Sequence, residues 1–192
     1  MLLLDGLHYQ IMKEIIILMN KKISKNEEEI AQQEFKELSK VLLDPSKKDI
    51  ARKKSSFLVK KYPNHIGLSQ AYATILTSDG DYIQSNSILK SIIDKKEDNE
   101  YTHYFLLVNS AKENNLPKII ESYVNSIKKN KNFIEIYKIF FNTLNSIKID
   151  DYSLLTSEEV KSGIAYAIQN NFIPIQDIKK LIPTLTHRDV SL

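Results

Sequence analysis

Apolar residues in this chain recur at helical spacing, and short polar clusters interrupt them at even intervals. Leu7, Ile11, Ile15 and Leu18 begin the pattern, with Met12, Ile16, Met19 and Ile23 widening the stripe. Ile30, Phe35, Leu38 and Leu42 form a second core face, and Ile50, Ala51, Phe57, Leu58 and Tyr62 an inward-facing third. Helix breakers or caps fall at Asp44-Pro45-Ser46, Pro63-Asn64, Asp79-Gly80-Asp81, Asp98-Asn99, Asn114-Asn115, Lys131-Asn132 and Asp150-Asp151. The intervals are roughly 16 to 19 residues, the length of one helix plus its turn. This predicts an all-α chain of about nine or ten helices, most about 12 to 16 residues long. Side chains repeat at roughly twice that interval: Leu38, Tyr72, Leu106 and Phe140 form one column, Leu42, Leu76, Ser110 and Leu144 another, and Val59, Ile93 and Ile127 a third.

The ends depart from this rhythm. Asp5, Lys13 and Glu14 interrupt the N-terminal apolar stretch, so it reads neither as a secretory signal nor as a membrane span. Two readings of it stand: a capping helix packed on the first repeat, or a helix that also buries against a second subunit or partner. Ser24 with Glu27 opens the next helix as a capping box, and Thr156 with Glu159 opens a late one whose buried face is Val160, Ile164, Ala167 and Ile168. Pro174 starts and Pro183 stops a short helix carrying Ile178, Leu181 and Ile182, and Thr184 to Leu192 form a tail. The expected organisation is residues 1–31 for the N-terminal cap and the start of helix two, 32–147 for the repeats (32–65, 66–99, 100–133, and 134–147 onward), and 148–192 for degenerate capping helices.

Across about residues 32 to 147 the chain resembles tetratricopeptide-repeat proteins, whose units are helix pairs of 34 residues. In the first unit Phe35 stands at the position of the family's first aromatic, with Leu38, Ser39, Ala51 and the closing Pro63. The second keeps Tyr72-Ala73, Leu76, Gly80-Asp81-Tyr82 and Leu89, with Ser85, still small, and Ile92, which is not, at positions the family usually makes alanine. The third keeps Leu106, Tyr123 and Ser126, while Leu107 and Ile119 are bulky. The resemblance implies a short right-handed superhelix of antiparallel helix pairs, with a concave groove lined by the first helix of each pair that receives a peptide or helix. On this chain the groove positions are Lys36 and Lys40, then Gln70, Thr74 and Thr77, then Tyr101, Tyr104, Val108 and Lys112, then Lys138 and Asn142. Lys138 and Asn142 resemble half of the family's clamp for a C-terminal carboxylate.

Composition narrows the function further. At 192 residues, 42% hydrophobic and 27% charged, the chain has the make-up of a soluble globular protein, and four glycines and five prolines leave little room for a sheet-rich fold. Without cysteine there is no disulfide, thiolate metal site or cysteine nucleophile. The net charge of +3 is modest, and lysine supplies all basic residues except Arg52 and Arg188, so the planar forks that read guanine are nearly absent and nucleic acid is not expected. His8, His65, His103 and His187 have no second ligand at metal spacing; no phosphate-binding loop or nucleophile elbow occurs, and Asp79-Gly80-Asp81 reads as a turn. No enzyme, metal or cofactor is therefore expected.

Two functional classes are compatible with these features. The first is a cytoplasmic, non-enzymatic scaffold that binds a protein or peptide. Tyr101, Tyr104 and Val108 share a helix face while Phe105, Leu106 and Ala111 serve the core, which makes the three an interface hot spot. The second is an assembly subunit or chaperone that binds through its N-terminal helix or convex face, with a homodimer through that helix as one form. The small helical chaperones of bacterial secretion systems have this size, and the Lys, Asn and Ile bias suggests an A/T-rich genome. The basic run from Lys47 to Lys61 reads either as a solvated face or as a landing patch for an acidic partner or anionic surface.

Overall fold

The computed structural model describes residues 27–147, 149, 153–174 and 176–178. The N-terminal stripe, the Ser24 cap, Leu181 to Pro183 and the tail lie outside them. Among the described residues there are eight full α-helices, a further helical segment at 176–178, and no strand. The eight are α1 (Glu27–Leu42), α2 (Lys48–Lys61), α3 (Ile66–Ser78), α4 (Tyr82–Asp94), α5 (Glu100–Lys112), α6 (Leu116–Lys129), α7 (Ile134–Ser146) and α8 (Glu158–Gln169). Single 3-10 turns occupy Pro45–Lys47 and Ser153–Thr156. The chain divides into two compact units, Met1–Glu97 and Asp98–Leu192.

The turns form where the local chemistry demands them. Side chains of His65, Asp81, Asn99 and Asn115 accept from the backbone N–H of Leu68, Gln84, Thr102 and Lys118, each satisfying a donor the helix start cannot. The late helix is capped by Ser157, which accepts from Val160 N, rather than by Thr156, whose hydroxyl donates to Ser153 O within the preceding turn. Gly80, Lys96, Asn114 and Asn171 take left-handed backbone conformations just past helix ends. In each case the next residue's N–H reaches back five residues: Asp81 to Leu76 O, Glu97 to Ile92 O, Asn115 to Ser110 O and Phe172 to Ala167 O. Gly80 and the two asparagines suit that conformation, which is why these positions stop helices so sharply.

In the first unit α1 and α2 pack antiparallel. Their contact rows are Ala31, Phe35 and Leu38 against Leu58 and Tyr62, closed by Leu68 and Ala71 of α3. Ala51 and Ser55 extend the buried row of α2. The apolar pattern predicts Ile30, Ile50 and Phe57 in the core; instead they are 52%, 56% and 62% exposed. The buried rows run through Ala31, Phe35 and Leu38 in α1 and through Ala51, Ser55 and Leu58 in α2, and Ile30, Ile50 and Phe57 each stand one residue, about 100°, before a member of those rows. With the small Ala51 and Ser55 on the buried side, Ile50 and Phe57 face outward. The pair α3 and α4 is fixed by Ser85, whose hydroxyl donates to Ala73 O at 3.0 Å and lies 2.9 Å from that of Thr77.

The second unit packs around aromatic rings. Tyr123 of α6 stacks on Phe140 of α7 with centroids 3.9 Å apart, and Tyr137 meets Tyr123 edge-on. Ser126 of α6 donates to Glu100 O at the start of α5, 3.1 Å away, so this pair too is antiparallel. Helix α8 closes on α6 at Gly163, where an added Cβ would stand 2.5 Å from Tyr123 Oη and 2.9 Å from Ile127 Cδ1. The Tyr123 hydroxyl is buried with no hydrogen-bond partner, and burial pushes its pKa well up.

Because the stacked ring cannot swing aside, Gly163→Ala should cost about 1 to 3 kcal/mol, read from denaturant unfolding. Tyr123→Phe removes a hydroxyl that bonds to nothing and is expected to be neutral or stabilising. In that background the alanine should cost less; an equal cost would place the clash elsewhere.

Candidate functional site

The structure sorts the expected groove residues into two groups. Lys36, Lys40, Lys112, Lys138 and Asn142 are exposed, whereas Gln70, Thr74, Thr77, Tyr101, Tyr104 and Val108 are buried. The exposed hot spot expected at Tyr101, Tyr104 and Val108 is therefore corrected: the two tyrosines pack edge-on against Phe133, at 4.8 and 5.9 Å between centroids. Phe105 is buried as expected, but Leu106 and Ala111 are only partly so. Helix α5 has no single core face. Thr102, His103, Asn109 and Ser110 are buried with the apolar residues around nearly its whole circumference. Helix α3 behaves likewise, burying Gln70, Thr74 and Thr77 beside Leu68, Ala71 and Ala73. Lys138 and Asn142 lie one turn apart on the open face of α7.

One buried polar cluster has no signature in the sequence. Asp98 Oδ2 lies 2.8 Å from His103 Nε2 and 2.9 Å from Lys129 Nζ, tying the start of α5 to the end of α6. Asn130 Nδ2 adds a bond to Glu100 Oε1 at 3.1 Å. Burial opposes the charge on Asp98, but the bonds from Lys129 and His103 together outweigh it and hold the carboxyl below its usual range. Burial also holds His103 below its usual range, against the pull of Asp98. His65 is lowered by burial too, in unit one, where its ring bonds Gln32 Oε1 at 3.1 Å and caps α3. With every member engaged across two helices, the Asp98 cluster is a clasp.

The basic run on α2 is largely neutralised from within its own unit. Asp79 binds Lys48 at 2.7 Å and Arg52 at 3.1 Å, Lys54 reaches Glu34 and Glu37, Lys47 pairs with Asp44, and Lys61 lies over the Tyr62 ring. Asp44 sits at about 2, held there by hydrogen bonds from Ser46 and Lys47. Lys53 and Lys60 have no ion-pair partner among the described residues.

Two hollows remain. One in the first unit, about 190 Å³, lies among Val59, Ile66, Ile88 and Ile92, with Lys95 at its edge held by Pro63 O and Asn64 Oδ1. The larger, about 280 Å³, opens in the second unit between α6, the start of α7, and α8. Val124, Ile127 and Gly163 line it together with Tyr137 and Tyr166, and Lys128, Lys131, Glu159 and Ser162 complete its lining. Lys131 Nζ sits 5.2 Å from the centre of the Tyr166 ring, and Lys128 pairs with Glu159 at 3.9 Å. Tyr166 donates to Asn132 Oδ1 and Tyr137 to Lys131 O. Burial pushes the Tyr137 hydroxyl up to about 12, so it stays neutral at physiological pH. Gly163 inside a helix was the one local signal for this cleft.

The chain matches no protein-family model, no curated protein and no solved structure. Among the described residues no three His, Cys, Asp or Glu side chains are placed to hold a metal ion, and no helix is long and apolar enough to cross a membrane.

Burial at these positions has measurable consequences. Tyr104→Ala should cost about 3 to 5 kcal/mol of stability, and Tyr101→Ala with Tyr104→Ala should fail to fold at moderate temperature. Tyr104→Phe should fold normally, since its buried hydroxyl lacks a partner. Circular dichroism melts separate the cases, and a stable double-alanine variant would contradict the burial. The histidines set a pH dependence: each binds a proton less readily when folded than at its ordinary 6.5. The unfolded chain therefore takes up more protons as pH falls through that value, and stability drops with acidification. The share from Asp98 is held until pH falls below 3.8. Unfolding free energy should fall between about pH 7 and 5, with most of that slope lost in His65→Gln with His103→Gln.

Proposed function

We propose that this chain is a non-enzymatic binding module of tetratricopeptide-like helix pairs, and that its cleft on α6 and α8 anchors a segment of a partner protein. The right-handed superhelical stacking implied by the family resemblance is part of this proposal. The observation that carries it is the cleft's size and lining. At about 280 Å³ it falls just short of pockets that enclose small molecules, roughly 300 to 1,000 Å³, and suits one or two anchoring side chains. Aliphatic and tyrosine walls favour a bulky apolar residue. Lys128 and Lys131 favour acidic neighbours on the incoming segment. The Lys128 and Glu159 pair is more than half exposed on both sides, so exchanging it for a partner's carboxylate costs little.

Burial of Gln70, Thr74, Thr77, Tyr101, Tyr104 and Val108 leaves Lys36, Lys40, Lys112, Lys138 and Asn142 as the exposed positions of the groove that the repeat resemblance implies, which favours the cleft over that groove. The alternative function, a subunit whose purpose is assembly, is favoured by the exposed apolar residues Ile30, Ile50 and Phe57 of α1 and α2.

Ser162 lines the cleft but is itself exposed. Ser162→Trp should therefore fill the cleft without disturbing the core. Partners co-purified from cells of the source organism and identified by mass spectrometry should be depleted at least about tenfold by this variant, about 1.4 kcal/mol of binding, with the melting temperature unchanged. Equal capture by both proteins would remove the cleft from the function.

A further inference from the structure

The solvent face of the α1 and α2 seam carries three large apolar side chains in the first unit. Lys54 spans the seam to Glu34 and Glu37 at 3.4 and 3.3 Å, which fixes the register of the antiparallel pair. Ile30 lies one turn before Glu34, and Ile50 and Phe57 lie one turn to either side of Lys54, so all three share that face. Each is more than half exposed. Around them the two helices differ in charge. The outer surface of α1 has Glu29 and Glu37 with Lys36 beside them and Lys40 at its end, and that of α2 has Lys53, Lys60 and Lys61 with Asp49 at the facing end, all exposed.

We infer that this face pairs with the same face of a second copy of the chain, about a two-fold axis parallel to the helices. Such an axis preserves height along the helices and exchanges left for right, so α1 of one copy lies over α2 of the other in the register already set by Lys54. Counting residues from that pair, Ile30 then meets the level of Phe57 to Lys61, Glu29 that of Lys60 and Lys61, Glu37 that of Lys53, and Lys40 that of Asp49. Six large apolar residues come together, Glu29 and Glu37 meet Lys60 and Lys53, and Lys40 meets Asp49, against one like-charge approach of Lys36 to Lys53. A flat anionic membrane fits less well, because Glu29, Glu34 and Glu37 would face it beside the lysines. Helices of 16 and 14 residues extend about 24 and 21 Å and pack about 8 to 10 Å apart. Their face is on the order of 400 Å² per copy, below the roughly 800 Å² of a standard partner. The dimer is accordingly weak, with a dissociation constant in the range of about 10 to 100 µM.

Sedimentation velocity on the full chain tests this between about 1 and 200 µM, where mass action should carry a two-state mixture from monomer to dimer. The weight-average mass should rise from 22.2 kDa toward twice that value. Phe57→Ser should raise the dissociation constant at least about tenfold with an unchanged melting temperature, since the residue is exposed. A charge exchange makes the surface identifiable. One variant, Lys53→Glu with Lys60→Glu, carries acids on both helices; the other, Glu29→Lys with Glu37→Lys, carries bases on both. Each alone should stay monomeric, while their mixture should dimerise, because both crossings of a mixed dimer are then complementary. A wild-type chain that stays monomeric at about 200 µM overturns the inference, and so does a dimer indifferent to Phe57→Ser, which would use another surface. Co-sedimentation of a monomer with phosphatidylserine-containing vesicles, lost in Phe57→Ser, would overturn it in favour of a membrane. Ser162→Trp leaves this readout untouched, so failure here is distinct from failure of the cleft.

Discussion

Close approach of paired helices at small residues is the constraint on which the rest of this structure depends. Ser85 and Ser126 each sit where a bulkier side chain would hold two helices apart, and each hydroxyl donates to a carbonyl of the partner helix. A hydrogen bond of this kind contributes only about 1 kcal/mol net, but leaving such a group buried without a partner costs about 1 to 3 kcal/mol. The contact therefore selects one register more than it adds stability. Gly163 is the extreme case, with Tyr123 filling the space of its missing Cβ. With the helix axes this close, large side chains are displaced along the helices, and the rings of Tyr123, Tyr137, Phe140 and Phe172 meet one another there.

Electrostatics follows the same economy. The acids that answer the lysines of α2 come from α1 and from the end of α3, and Lys47 in the turn before α2 is answered by Asp44 of the same turn. A residue run that looks like a basic patch in one dimension is thus mostly an internal lattice in three. Asp79 is only 12% exposed and takes both Lys48 and Arg52, so it fixes how α2 lies on the end of α3. The chain's modest net charge of +3 carries little information about partners once these pairings are subtracted.

The legible part of the sequence was local. Asp81, Asn99 and Asn115 cap helices because a side-chain oxygen two or three residues from a free N–H needs nothing else. Gly80, Asn114 and Asn171 stop them because they tolerate a left-handed backbone. Illegible was whatever depends on how helices are rotated about their own axes. In α2 both candidate stripes, through Ile50 and Phe57 or through Ala51, Ser55 and Leu58, have helical spacing, and only the neighbouring helix decides between them. Helix α5 is ambiguous for a different reason. Its thirteen residues lack a charged face between Glu100 and Lys112, so Tyr101, Tyr104 and Val108 could be assigned outward only by supposing that one core face suffices. The Asp98, His103 and Lys129 clasp spans too many residues for any spacing rule, and the cleft draws on three separate segments.

Burial separates the side chains that hold the fold from those free to bind, and the two sets touch at one place. Gly163 must lack a side chain because Tyr123 lies against it, and the same lack keeps the floor of the cleft low beside Tyr166. The cleft is thus a consequence of how α6 and α8 pack. Its floor cannot vary without cost to stability, whereas Ser162, Lys128 and Lys131 on its rim can. Surfaces built this way change their partner by substitution at the rim while the packing beneath them stays fixed.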